Sequence, residues 1–228
     1  MRLDKYLADM SIGTRKEVKS IIQNGQIKVN DKIVKSANYQ VNDNDIVFYN
    51  GQEIEYVEYE YYILNKPKDY ICATEDKNEK VVMELIKSKR KDLVPVGRLD
   101  KDTEGLLLIS NDGKLNHELL SPKKHISKKY YVEVDTSLPE KAKDLLTRPM
   151  DLGDFITKPA IYEKIDDYHA YLTISEGKYH QVKRMFEKVG CNVIYLKRTE
   201  FKNLNLDNLE IGQYRKLTLE ELEELKNN

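Results

Sequence analysis

The sequence predicts an α+β protein of two domains, a small N-terminal module followed by a larger one. Three observations carry this expectation. Apolar residues recur at helical spacing in some segments and alternate with a period of two in others, separated by Gly, Asn, Asp and Pro. The length of 228 residues suits one or two domains. Charge is also segregated along the chain. Residues 1–40 hold eight Lys or Arg against four Asp or Glu, whereas residues 41–60 hold six acids and no base. Residues 178–198 hold six bases and one acid, and the chain turns acidic again at Glu220, Glu221, Glu223 and Glu224. The net charge of -1 hides these basic patches, which suit phosphate, while a neutral total limits indiscriminate adhesion to polyanions.

The elements follow in order. Leu3, Tyr6, Leu7 and Met10 have helical spacing, and Gly13 ends that helix. Thr14 and Glu17 fit a capping box that opens a second helix, with Val18, Ile21 and Ile22 inward and Arg15, Lys16 and Lys19 outward. After Gly25, Ile27 and Val29 form a strand, Asn30-Asp31 a turn, and Ile33 and Val34 the return. Ile46 and Val47 followed by Asn50-Gly51 suggest another hairpin. Residues 52–60 read as an acidic connector into a strand around Tyr61–Asn65. Leu106–Ile109 is a short buried strand that Asn111-Asp112-Gly113 turns, and Leu115 and Leu119 mark a short helix stopped by Ser121-Pro122. Tyr130, Val132 and Val134 share one strand face, and Leu172 and Ile174 share another. Val182, Met185, Phe186 and Val189 make a helical stripe closed by Gly190.

Several function classes drop out. No run approaches the roughly 18 apolar residues of a membrane span. The N-terminal Arg2, Asp4 and Lys5 do not suit a secretory leader, and two cysteines, Cys72 and Cys191, make no disulfide scaffold. A cytoplasmic protein that does not engage membranes is the expectation. There is no glycine-rich phosphate loop, and His117, His125, His169 and His180 show no metal-ligand spacing, so neither a nucleotide cofactor nor a metal site is expected.

The helix, basic helix and hairpin of the first module resemble the alpha-L (S-four-type) RNA-binding motif, through Arg2–Leu7, Thr14–Val18 and Gly25–Asn30. The family often has Gly where this chain has Asp31. Further on, four blocks stand in a telling order. They are Asn65-Lys66-Pro67, the run Val96 to Leu108 containing Gly97-Arg98-Leu99-Asp100 with Thr103 and Gly105, Lys128-Lys129-Tyr130, and Glu176 to Met185. Alone, Asp100 would be read as a turn residue, Tyr130 as core and Lys183 as a solvated helix lysine. Together the blocks resemble the pseudouridine synthases, and within them most resemble the ribosomal small subunit pseudouridine synthase A family. Lys178 stands where many relatives have Arg, which keeps charge but not fork geometry.

The resemblance implies an alpha-L domain over residues 1–58 and a mixed, largely antiparallel-sheet pseudouridine synthase domain over residues 59–228. It implies isomerisation of a uridine in ribosomal RNA, without a cofactor, by a monomer. The 16S rRNA is favoured through the Glu176–Met185 block, at uridine 516 in bacterial numbering, whether on naked RNA or in a pre-ribosomal particle. A sibling acting on 23S rRNA and a non-catalytic rRNA-binding assembly factor are the alternatives. Asp100 matches the catalytic aspartate, Tyr130 the tyrosine that packs on the uracil, and Lys183 the cation paired with the aspartate. Arg98 matches an arginine implicated in opening the RNA stack. Lys178, His180, Gln181 and Arg184, with Arg15, Lys16, Lys19 and Lys28 of the first module, are expected RNA contacts. The residue types suit the chemistry. A free aspartate titrates near about 3.9, burial would push it up, and an adjacent cation counters that. An aromatic side chain can hold a base taken out of its stack.

Overall fold

Strands that are covered on both faces read as nearly continuous apolar runs, and Tyr61–Leu64 and Leu106–Ile109 form two of them. Residues 1–227 are described by a computed structural model; Asn228, the last residue of the expected second domain, lies outside the described residues. The chain forms two units. One comprises residues 1–60 together with Lys87–Leu93, and the other Tyr61–Ile86 together with the chain from Val94 onward.

In the first unit, helix α1 (Leu3–Asp9) is followed by α2 (Arg15–Gln23), and the strands β1 (Ile27–Val29), β2 (Lys32–Ile33), β3 (Val47–Tyr49) and β4 (Gln52–Glu53) form an antiparallel sheet in the order β2-β1-β3-β4. The capping box is made: Thr14 N–H donates to Glu17 Oε2 at 2.7 Å and Glu17 N–H to Thr14 Oγ1 at 3.3 Å. Leu3, Leu7, Val18, Ile22, Ile27 and Val47 form the fully buried centre, and Ile21 is only half-buried. Asn50 and Gly51 both take left-handed φ, 50° and 80°, as a tight hairpin between β3 and β4 requires. The expected connector therefore begins later than residue 52, because Gln52 and Glu53 pair with β3. Arg90, brought in by Lys87–Leu93, is 7% exposed and donates to Asp92 and to the Val57 carbonyl.

The second unit is built on β5 (Tyr61–Lys66), β6 (Tyr70–Ile71), β7 (Lys80–Val81), β8 (Val94–Pro95), β9 (Glu104–Ser110), helix α3 (Gly113–Leu120) and β10 (Lys128–Val134). There follow α4 (Ala142–Leu146), β11 (Ile161–Lys164), β12 (His169–Ile174), α5 (Gln181–Val189), β13 (Val193–Phe201), β14 (Leu204–Asn205), β15 (Tyr214–Lys216) and α6 (Leu219–Lys226). The main sheet runs β11-β12-β10-β13-β9-β5-β15, with β14 beside β13 and β8 beside β9. Its pairings are antiparallel except β13 with β9. All residues of β5 and β9 are buried, while β10 and β12 alternate, half-buried on one face and buried on the other. Asn111-Asp112-Gly113 leads into the short helix that Leu115 and Leu119 marked in the sequence, and Gly113 is its first residue. Asp112 caps this helix, α3, through Oδ1 to the Leu115 N–H at 3.0 Å.

The parallel seam depends on Gly105. It sits at φ +105° opposite Arg198, and a Cβ there would lie 2.2 Å from the Arg198 carbonyl oxygen. Gly105→Ala should cost roughly 3 kcal/mol or more, since backbone must move as well as strain. Gly153→Ala, at φ +95° but facing open space, should cost only about 1–2 kcal/mol. Equal losses in urea melts of the two variants would contradict a close approach at Gly105.

Candidate active site

The loop between Leu99 and β9 is held by its backbone. Lys66, at the end of β5, is fully buried, and its Nζ donates to the carbonyls of Thr103 (2.8 Å), Pro67 (3.0 Å), Asp100 (3.1 Å) and Lys101 (3.3 Å). Burial pulls Lys66 below the usual lysine range, opposed by Cys72, Asp102, Glu104 and Asp100. Cys72 adds a second clasp, accepting from the Leu99 N–H at 3.3 Å and donating to its carbonyl at 3.5 Å. Leu99 is buried, so Asp100 is placed where the chain leaves the core.

The Asp100 carboxylate is about one-third exposed and faces two basic side chains. His180 Nε2 lies 3.6 Å from Oδ1 and Lys183 Nζ 3.5 Å from Oδ2. Lys183 extends from α5, whose opposite face buries Val182, Met185, Phe186 and Val189. Its hydrogen bonds, however, go to Asp102, at 2.7 and 2.8 Å. Burial pushes Asp102 up, but the bonds and charge of Lys183 outweigh this and hold it below its ordinary value. The expected pairing of Lys183 with Asp100 is thus shared with a second acid that sequence reasoning passed over. Two acids a residue apart in a loop carry no periodic signal.

Tyr130 is 7% exposed on β10, cross-strand from Leu172 and Arg198, and lines the same cavity as Asp100. That cavity, about 60 Å³, is lined by Asp100, Tyr130, Lys183, His180, Ile174 and Leu196 among others. Arg98, Lys178 and Gln181 also line it. Arg98 and Lys178 are exposed. Gln181 is 3% exposed and is not a free RNA-facing amide: its Nε2 donates to Glu176 Oε2 at 2.8 Å and its Oε1 accepts from the Lys178 N–H at 3.2 Å. It shapes the loop before α5. Arg184 is drawn aside too, bound to Asp154 and the Leu152 carbonyl and lying over the Phe155 ring. Arg15, Lys16, Lys19 and Lys28 are exposed in the first unit, where they make no ion pair among the described residues. Also among the described residues, no group of His, Cys, Asp and Glu is placed to hold a metal ion, and no helix is long and apolar enough to cross a membrane.

This geometry can be set beside known proteins. The family model described as RNA pseudouridylate synthase matches residues 60–188, and the S4 domain model matches residues 1–47. The chain belongs to the RNA pseudouridylate synthase family. It is 45% identical to an uncharacterized RNA pseudouridine synthase of Bacillus subtilis, covering 97% of each chain. It is 37% identical to the ribosomal small subunit pseudouridine synthase A of Haemophilus influenzae, covering 99% of both. It is 38% identical to the ribosomal large subunit pseudouridine synthase B of Bacillus subtilis, over 99% of this chain and 95% of that one. A crystal structure of a pseudouridylate synthase superposes with a TM-score of 0.70 at 36% identity, covering 99% of each chain. The family fold, an N-terminal S4 domain followed by a mixed, mainly antiparallel sheet, is the one the sequence predicted.

In this synthase fold the grip of Lys66 can be tested directly. Lys66→Met keeps the length but leaves carbonyls unsatisfied, and should lower stability by about 2–4 kcal/mol. In the folded fraction, amide exchange at Lys101–Thr103 should speed up more than in β9. Uniform acceleration would mean that Lys66 supports the fold without holding the loop.

Lys128 offers a second check. Burial, and then the like charge of Arg198, lower it to about 8. Between pH about 8 and 10.5 the native state has released a proton that the unfolded chain still holds, so this residue makes stability rise with pH across that window. NMR titration of the Lys128 side chain should give a midpoint near pH 8, and a midpoint at the ordinary lysine value would show that the ammonium is solvated.

Proposed function

We propose that this protein isomerises one uridine of ribosomal RNA to pseudouridine in the cytoplasm, acting as a monomer, with Asp100 as the catalytic carboxylate. The observation that carries the reading is the Asp100 carboxylate held at the edge of the core, with His180 and Lys183 within 3.6 Å and Tyr130 beside it. Through its carboxylate oxygens Asp100 can attack C1′ of the uridine or remove the 2′ hydrogen. Either route releases the base for rotation and rejoining through carbon. Lys183, anchored on Asp102, supplies positive charge without tying up both oxygens of Asp100. Tyr130 supports the extruded ring. Arg98 at the cavity and the exposed Arg15, Lys16, Lys19 and Lys28 of the S4 domain contact phosphates, which position RNA without reading sequence.

Within ribosomal RNA the 16S molecule is favoured, at uridine 516, because the Glu176–Met185 block resembles the small-subunit branch. Relatives named for the small subunit recur among those matched over the full length. A 23S target is the second reading, supported by the relative named for the large subunit at similar identity. Pseudouridine mapping of both rRNAs, in cells with and without the gene, separates the two. Complementation by the Asp100→Asn protein should leave the site unmodified. On an RNA fragment the same variant should bind with wild-type affinity within about threefold, since phosphate contacts dominate, yet form no detectable pseudouridine. A well-folded variant that still converts the uridine removes Asp100 from the reaction. Normal modification in the gene-deleted cells supports the assembly-factor reading instead.

A further inference from the structure

Beside the cavity at Asp100 lies a larger one, of about 250 Å³, which shares Arg98, Tyr130, Gly177 and Lys178 with it. Leu119, Leu120, Pro122, Ile126 and Phe201 give it an apolar wall. Its charged lining is lopsided: Arg98, Lys128, Lys158, Lys178 and Arg198 against Glu176. Glu176 is already engaged, with Oε2 accepting from the Lys158 backbone N–H at 3.0 Å and from Gln181.

Two of the cations are placed as though a partner were missing. Arg198 is 2% exposed; its Nε donates to the Leu106 carbonyl at 2.7 Å, but its buried Nη2 has no hydrogen-bond partner. Lys128 Nζ donates to the Ile126 carbonyl at 2.8 Å. Both cations lie over one ring, that of Phe201, with Lys128 Nζ 5.6 Å and the Arg198 guanidinium 5.2 Å from its centroid. Neither makes an ion pair with a carboxylate among the described residues. Buried charges are ordinarily paired, and two like charges sharing one ring raise the cost of leaving them so. An apolar wall with a cationic side fits a flat ring bearing an anion, which describes a nucleotide. Continuity with the cavity at Asp100 makes the occupant part of the same RNA strand as the target.

We propose that this second cavity takes a nucleotide neighbouring the target uridine in the RNA substrate, its base against the apolar wall and its phosphate toward Lys128 and Arg198. The proposal rests on the RNA isomerase reading above and adds a specificity element to it. A base seated there would make conversion depend on a second nucleotide as well as on the uridine.

The test uses an RNA fragment converted by the wild-type protein and a series carrying one abasic nucleotide at successive positions on either side of the target. In single-turnover assays, loss of the base at one neighbouring position should slow conversion by roughly ten- to a hundredfold, the worth of one stacked base. Leu120→Trp fills the cavity from an exposed position. It should slow conversion of the intact fragment similarly, with no further loss on the abasic fragment sensitive at that position. Lys128→Met is the second variant and should show the same lack of further loss. Uniform conversion across the series by active wild-type protein overturns the proposal. So does inhibition by free adenosine 5′-monophosphate without any positional effect, because the cavity then serves a free nucleotide. A wild-type protein that converts no RNA fragment sinks the isomerase reading itself, before any base is removed, and this proposal with it.

Discussion

A single buried ammonium organises the loop on which everything else in the second unit converges. Lys66 Nζ collects four backbone carbonyls from Pro67 and from the loop through Asp100, Lys101 and Thr103. A charge so buried is costly alone, and four aimed dipoles are what make it tolerable. Because the grip is on main-chain oxygens, the side chains of Asp100 and Asp102 are left to face Lys183. The loop is thus rigid in its backbone and available in its carboxylates, the combination that placing a reactive group requires.

The electrostatics at the tip of that loop divide labour between two acids. Asp102 takes the hydrogen bonds of Lys183 and is mostly exposed, whereas Asp100 is the more enclosed and receives Lys183 only at 3.5 Å. The lysine is steadied by one carboxylate and lends its field to the other. His180 approaches the remaining oxygen of Asp100 from a left-handed backbone position, φ 48°, at the start of α5. For a residue other than glycine that conformation is strained, and at the mouth of a site such strain aims the side chain.

Much of the fold was legible because it rests on local rules. Thr14 with Glu17, Gly190 after α5 and the Asn50-Gly51 turn are short-range patterns that the structure realises as written. Other parts were silent. Lys87–Leu93 belongs with the first unit through Arg90 and its partners, contacts far apart in sequence and without periodicity. Helix α4 and strand β11 are short, with two buried residues, Ala142 and Leu146, in the one and a single one, Tyr162, in the other. Of the candidate site, Asp100, Tyr130 and Lys183 stood out only as members of ordered blocks; taken singly each resembles an ordinary turn, core or surface residue. Their meeting at one cavity is a property of the sheet order. Arg198, with bases spaced like any surface patch around it, gave no hint that it would be 2% exposed.

The one parallel pairing of the large sheet has a further implication. It joins β9, which begins just past Asp100, to β13, and the Arg198–Leu106 hydrogen bond across that seam closes a span of 92 residues. Contacts so distant form late, because the entropy of closing the intervening chain must be met before they repay it. During synthesis β9 can pair with β5, but its other edge waits for residues near Phe201 to leave the ribosome. A nascent chain arrested before that point carries the complete S4 unit and the Asp100 loop, yet lacks the strand that closes the wall behind Tyr130. Such a chain also lacks Leu196, which lines the cavity at Asp100, so that cavity is among the last features of this protein to come into being.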